Sequence, residues 1–261
     1  MKTGNFGSIR YYSFENMAEA GVTQAIFTRS GGVSRPPYAT LNTGGTVGDD
    51  PRAVTENRQR CFTSLALDLR SMYDVWQVHS SAVAVANAPR PADQPHLQAD
   101  IILTNKPGVT LFMRFADCVP IILVDPTRHA IGMAHAGWIG TVNKVAAKSV
   151  QAMHEQFGSR PDDLLAGIGP SICVEHYPIG EDVISKVKEA FPDRADELLT
   201  KNFGKTHLNL WKANRFILEE QGVENIETSG ICTACYVEDW FSHRGEQGKT
   251  GRFGALLALA R

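Results

Sequence analysis

No stretch of this 261-residue chain approaches the roughly 18 consecutive apolar residues that a membrane-crossing helix requires, so no membrane span is expected. The opening MKTGNFGSIRYYSFENM lacks the apolar core of a secretory signal. Cysteine is scarce: five residues, an odd number without framework spacing, which argues against a disulfide scaffold and for reduced thiols in the cytoplasm. An excess of either charge is lacking too. With 26 Lys and Arg against 28 Asp and Glu the net charge is −2, which gives no reason to expect nucleic acid or an anionic membrane as partner. Internal repeats and low-complexity segments are also missing. What remains is 43% apolar and 21% charged, an ordinary globular composition with ample core, long enough for one large domain or two small ones.

The informative stretch is Ala116 to Thr141, ADCVPIILVDPTRHAIGMAHAGWIGT. Two apolar runs, Val119 to Val124 and Ala130 to Ala134, flank Asp125-Pro126-Thr127, a type I turn signal, so the pattern predicts a β-hairpin. Apolar residues at consecutive positions in both arms predict a strand pair covered on both faces. A two-residue loop at Pro126-Thr127 would set Cys118 directly opposite His135, with Cβ atoms about 4.5–5.5 Å apart. One zinc ion, about 2.3 Å from sulfur and about 2.0 Å from imidazole nitrogen, fits that gap. A helical pattern follows through Phe157 with Thr141 as expected N-cap, and a helix start so near the two ligands adds an anion cradle beginning at Gly137.

Elsewhere the residues are read more plainly. Phe27 to Asp50 is a Gly-, Pro-, Ser- and Thr-rich loop in which Arg29 offers an anion contact and Asn42 a hydrogen bond to a sugar or base, although solvated-loop and turn roles are the ordinary ones. Asp50-Pro51 reads as N-cap and first helical residue of a helix ending near Leu67, with Cys61 buried. Asp74 to Ala86 reads as a strand bent at Ser80-Ser81, and its His79 matters because the hairpin site needs a third ligand. His96 reads as a surface loop residue. Strands are expected at 99–104, 109–115, 164–168 and 253–260, and helices at 181–191 and 209–221, the last closed by Gly222. Cys232-Thr-Ala-Cys235 has no second Cys pair and reads as structural, its sulfurs on opposite faces if it is a strand. Arg244 is a further anion contact. Central strands joined as hairpins argue for an α+β fold with a mixed, largely antiparallel sheet and flanking helices.

The motifs TRSGGVS, LNTGG, VGDDP, QVHS, ADCVPIILVDP, HAGWIGT and GIGPSI, in that order, resemble the multicopper polyphenol oxidase (laccase-domain) family. This family is also called YfiH-like and described as purine nucleoside phosphorylase. The resemblance runs from Phe27 to the C-terminus. It implies one layered α/β/β/α catalytic domain over residues 1–261 and a zinc site of two histidines and one cysteine, here His79, Cys118 and His135, with copper as the alternative metal. It also implies phosphorolysis of adenosine, inosine, guanosine and methylthioadenosine, and deamination of adenosine. Substrate contacts are then expected at Arg29, Asn42, Gly137 and Arg244. The chain departs from the family pattern at Ile139, where Arg commonly follows HAGW, and at Gly245, where a second Arg commonly follows Arg244. Losing two guanidinium forks weakens bidentate phosphate recognition.

Three protein ligands leave a zinc ion an open fourth position for water or substrate, which favours a catalytic over a structural ion. Asp117 reads equally as an acid/base beside the thiolate and as a strand-end hydrogen bonder. The His-x-Glu and Pro-Cys-x-x-Cys signature of the zinc deaminases is missing, so deamination would need this other constellation. Two other enzymes remain readable from the same residues: a copper-dependent oxidase of phenols, and a metal-independent hydrolase of a cell-wall precursor in which His135 activates Cys118.

Overall fold

The two apolar runs at the centre of the chain become strands Val119–Asp125 and Ala130–Ala136, paired antiparallel, with every residue buried. Successive side chains of a strand point to opposite faces, and here both faces are covered. Ile121 and Leu123 join a core shared with helices, whereas Ile122 and Val124 join a second core shared with another sheet. That double burial is why the sequence shows unbroken apolar runs in place of alternation.

The computed structural model describes residues 1–260. The hairpin lies at the middle of a six-stranded sheet that also contains Ile101–Thr104, Leu165–Ile168, Asn225–Thr228 and Val83–Val85. A second six-stranded sheet is built around Phe253–Leu259, which pairs antiparallel with Val22–Phe27 on one side and Thr110–Phe115 on the other. The sheets face each other across Ile102, Ile122, Met133, Met113, Phe253 and Leu257. Helices Val145–Phe157, Glu181–Ala190 and Leu210–Glu220 supply the core on the outer face of the hairpin sheet. Helix Pro51–Thr63 covers the other sheet through Cys61 and Phe62 against Phe27, Phe112 and Leu256. The order is therefore helix, sheet, sheet, helix: an α+β fold with mixed, mainly antiparallel sheets and flanking helices. Among the described residues no helix is long and apolar enough to cross a membrane.

Local chemistry accounts for the helix starts. The Asp50 side chain accepts from Arg52 N with Pro51 at the first helical position, and the Asn209 side chain accepts from Lys212 N. Both are caps that satisfy free N–H groups.

Four expectations need correction. The hairpin pairs Pro120 with His135, not Cys118 with His135, because its loop holds four residues: Asp125 Oδ1 accepts from Thr127 N and Arg128 N, and His129 takes a left-handed φ of 49° before pairing resumes at Ala130. The expected helix from Thr141 is two helices, Trp138–Val142 and Val145–Phe157, broken at Lys144 (φ 56°), so Thr141 lies inside the first and caps nothing. Of the expected strand from Asp74 to Ala86 only Val83–Val85 is a strand, and residues 74–82 form a loop that joins it to Met72–Tyr73 in the other sheet. Cys232 to Cys235 is a turn, not a strand, so its sulfurs are free to face one point.

Candidate metal centre

His135 is the penultimate residue of Ala130–Ala136, and the neighbouring strand Ile101–Thr104 places Asp100 beside it, with His135 N donating to Asp100 O at 2.9 Å. The Asp100 carboxylate then meets the ring: Oδ1 lies 2.8 Å from His135 Nδ1. Its other oxygen accepts from Val78 N (3.1 Å), Ser80 N (2.6 Å) and Ser80 Oγ (2.9 Å). One buried carboxylate thus orients His135 and pins the bend carrying His79, whose φ of 60° turns its ring toward the same point. Cys118 comes from the residue before strand Val119–Asp125, after Asp117 with φ 80°. Its Sγ lies 4.0 Å from His79 Nε2, and the two imidazoles meet edge to face with centroids 4.9 Å apart. Space is reserved for the sulfur by Gly137, where a Cβ would stand 2.8 Å from Cys118 Sγ and 3.2 Å from His79 Cδ2.

The electrostatics follow from this packing. Burial alone would push the Cys118 thiol up, but the charge of His135 and hydrogen bonds from His135 and His79 outweigh it, lowering the pKa to about 6. His135 is shifted the opposite way: burial disfavours its cation, yet Cys118 and the Asp100 hydrogen bond raise it to about 9. Both shifts favour a thiolate beside an imidazolium when no metal is bound. One ligand atom each from His79, Cys118 and His135 lie within 4.8 Å of one another, a two-nitrogen, one-sulfur donor set that suits borderline-soft divalent ions. Among the described residues no fourth His, Cys, Asp or Glu joins this group, so a bound ion would keep a position open. His79 is exposed and His135 buried, which puts the open side toward solvent.

That side is the floor of a cleft of about 720 Å³. Of the residues expected to touch substrate, Arg244 lines it, with its guanidinium 5.1 Å over the Tyr177 ring and Nη1 donating to Pro178 O at 3.0 Å. Gly137 lies beneath it as the N-cap of the five-residue helix Trp138–Val142, too short for the expected anion cradle. Arg29 does not reach it: its guanidinium serves the carbonyls of Ala39 and Val237 and the carboxylate of Glu246, and stacks on Phe241. Asn42 does not either. It is fully buried, bonded to Asp49, Gly44 and the backbone N–H of Arg252, and holds a loop together. Asp117 lines the cleft with its carboxylate spent on Thr233 Oγ1, Ser242 Oγ and Arg244 N, all at 2.6–2.7 Å, which is the hydrogen-bonding role.

Several lining residues escaped the sequence reading. Arg58, Arg114 and Arg252 bring three guanidinium groups, and Trp76, Trp138 and Tyr177 bring flat apolar surface. His96, read as a surface loop residue, also lines the cleft and lies 3.1 Å from buried Asp74. Arg114 is paired with Asp74 at 2.6 Å. Arg58 and Arg252 are different: among the described residues neither ion-pairs with a carboxylate, and they donate to the carbonyls of Thr43, Thr250 and Gly251. Burial lowers both, Arg58 to about 10 with Arg114 adding to the effect; a guanidinium is ordinarily cationic throughout the neutral range. A lone arginine on a helix or before a strand carries no sequence signal for this, since solvent is its ordinary place.

Residues 23–260 match the family model described as multi-copper polyphenol oxidoreductase laccase. A purine nucleoside phosphorylase of Deinococcus radiodurans is 40% identical over 240 residues, covering 92% of this chain and 90% of the relative. The purine nucleoside phosphorylase YlmD of Bacillus subtilis is 36% identical over 261 residues, with 96% and 93% covered. Among solved structures, YlmD from Geobacillus stearothermophilus superposes with a TM-score of 0.91 at 30% identity, covering 99% of both chains. The Bacillus licheniformis hypothetical protein YfiH superposes with a TM-score of 0.90 at 33% identity, covering 98% of this chain and 97% of the other.

Proposed function

We propose that this chain, which belongs to the multi-copper polyphenol oxidoreductase laccase family, is a zinc-dependent purine nucleoside phosphorylase with adenosine deamination as a second activity. Its substrates are adenosine, inosine, guanosine and methylthioadenosine, with phosphate as co-substrate, and the whole chain acts as one cytoplasmic catalytic domain. The observation that carries this reading is the cleft itself, which faces an open His79–Cys118–His135 centre with the guanidinium groups of Arg58 and Arg252, neither ion-paired with a carboxylate among the described residues.

Unpaired guanidinium groups in a half-closed site hold a phosphate by charge-assisted, bidentate hydrogen bonds. They supply what Ile139 and Gly245 do not. Trp76, Trp138 and Tyr177 offer the flat apolar walls a purine needs, as in most small-molecule sites. With phosphate held against the ribose, a phosphate oxygen bonds C1′ as the C1′–N9 bond breaks. The electron pair leaves with the base, which takes up a proton from water. His79, Cys118 and His135 would hold a divalent ion that supplies a Lewis acid for charge developing on the substrate. Asp100 keeps His135 in the tautomer that presents Nε2 to that centre. In deamination, water replaces the 6-amino group of adenosine and ammonia leaves.

The test is chromatography of products from adenosine and inosine, with and without phosphate, using zinc-loaded protein and a Cys118→Ala control. Free base plus ribose 1-phosphate, dependent on both phosphate and Cys118, is the expected result. Inosine from adenosine with no free base would leave only the deaminase half standing. No turnover of either nucleoside sinks the purine reading.

One observation favours a second reading. Asp100, His135 and Cys118 form a relay in which a carboxylate orients an imidazole beside a thiol of lowered pKa, an arrangement that activates cysteine nucleophiles. A hydrolase of a cell-wall precursor built on it would keep its activity in chelator, whereas the phosphorylase would not. The copper oxidase reading is weaker, because one Cys–His₂ centre lacks the several coppers that four-electron reduction of dioxygen needs.

A further inference from the structure

Adjoining Tyr177 in the chain, and outside the lining of the cleft, lies a second cluster that this reaction does not use. Cys173 and His176 bracket the short helical turn Val174–His176, and Cys232 and Cys235 bracket the turn after Ile231. A bridge between Ser171 and Cys232 brings the two turns together. One ligand atom from each of the four residues lies within 4.8 Å of all the others. His176 Nδ1 stands 3.3 Å from Cys173 Sγ, 3.4 Å from Cys235 Sγ and 3.9 Å from Cys232 Sγ.

Hydrogen bonding does not explain this convergence. A ring nitrogen has one proton or one lone pair, so it serves one thiol, not three. A tetrahedral ion explains it. Bonds of about 2.3 Å to sulfur and about 2.0–2.1 Å to nitrogen set sulfur–nitrogen edges of about 3.5 Å, and the three distances straddle that value. Cys232 Sγ also accepts from Cys173 N at 3.3 Å and Cys235 N at 3.4 Å, the environment of a thiolate. The sequence spacing, Cys-x-x-His with Cys-x-x-Cys, is that of two half-sites.

We propose that Cys173, His176, Cys232 and Cys235 form a closed Cys₃His site for a structural divalent ion of the zinc class, separate from the open centre in the cleft. Four protein ligands leave no position for substrate, so the ion's role is to fix the two turns. They are worth fixing. His176 precedes Tyr177, which lines the cleft, and Thr233, between the two cysteines, donates to Asp117 next to Cys118. Ile172 N also donates to Asp117 O at 3.0 Å. The ion therefore steadies the wall on which the open centre stands.

The test uses full-length Cys118→Ala protein, in which the open centre has lost its only sulfur. Zinc measured by mass spectrometry after exhaustive dialysis is expected at about one ion per chain. Its Co(II) form is expected to show the tetrahedral spectrum and charge-transfer intensity of three thiolates. Adding His176→Ala and Cys235→Ser, two exposed positions, abolishes both signals. Thiol titration of the folded Cys118→Ala protein gives a second readout that does not depend on the folding of that variant: three thiols stay unreactive until a chelator releases the ion. Dialysed protein with no ion, three thiols that react freely without chelator, or a disulfide found among them would each overturn the site.

Discussion

At the scale of single residues, Asp100 joins more of the site than any ligand does. Its carboxylate orients His135 through Nδ1 and holds the bend of His79 through Val78 and Ser80. In Asp100→Asn, the charge that favours the His135 cation is gone, and an amide must set donors against N–H groups. His135 then loses part of its upward shift, and Cys118, kept low mainly by His135 against its burial, rises with it. Alkylation of metal-free protein should therefore show a Cys118 midpoint near pH 6 in the wild type and a clearly higher one in the variant. Metal affinity or turnover should fall about 10–100-fold, the usual effect of losing a partner of a histidine ligand. An unchanged alkylation profile would mean that Asp100 positions nothing. Sequence alone does not single out this residue, because an Asp before an apolar strand reads as a boundary. Cys118 and His135 stand out because rare chemical types flank an apolar hairpin, and His79 only because that pair needs a third ligand, which the family resemblance supplies. Arg29 and Asn42 show the reverse: chemically suggestive, yet consumed by the loop they build.

At the scale of elements, the hairpin was legible and its register was not. Apolar runs on both sides of Asp125-Pro126 define two strands, but loop length rests on the Asp125 side chain closing over Thr127 and Arg128 and on His129 adopting a left-handed conformation. The pairing moved by two residues, so facing parity survived and Cys118 stayed on the side of His135. Cys118 comes to face Gly137 instead, and this fixes the value of that glycine. With φ at −71° its backbone suits any residue, so the constraint is space alone. In Gly137→Ala the new methyl must displace Cys118 Sγ or the His79 ring. The expected cost is about 1–3 kcal/mol of stability, as for other overpacked sites, with a larger loss of bound metal while circular dichroism stays native. Wild-type metal affinity in that variant would show that the sulfur has room to move. The bend expected at Ser80-Ser81 lies at His79 and Ser80, and what sequence does not show is its left-handed backbone, since no Gly or Pro marks it and Asp100, just before strand Ile101–Thr104, holds it.

At the scale of the whole molecule, the helix, sheet, sheet, helix layering came only with the family resemblance, while the α+β class and the doubly covered central strands were readable because residues buried on two faces leave consecutive apolar runs. The edges were not: the N-terminal hairpin of Lys2–Phe6 with Ile9–Ser13 is mostly exposed or half-buried and carries no apolar run to betray it. One tie that spans the molecule also lay beyond sequence, the fully buried carboxylate of Asp74. It takes Arg90 Nε at 2.8 Å, Arg114 Nη1 at 2.6 Å and His96 Nε2 at 3.1 Å, fastening the loop at 90–96 to strand Thr110–Phe115 beside the cleft. Burial pushes this carboxyl up, but Arg114, Arg90 and His96 together outweigh it and hold it below its ordinary value. A carboxyl depressed in the folded state contributes stability above its unfolded pKa of about 3.9 and loses it as pH falls through the lower folded value. Asp74→Asn, which leaves two half-buried guanidinium groups without their counter-charge, is expected to cost about 3 kcal/mol at neutral pH, the lower end for a buried pair. That deficit should shrink as pH falls from about 4, where the unfolded chain takes up the proton first, and vanish only below the lower folded value, where wild-type Asp74 is neutral in both states. Urea unfolding of both proteins from neutral pH downward measures it, and a gap that stays constant across that acid range would show that the charge of Asp74 is not what joins these elements.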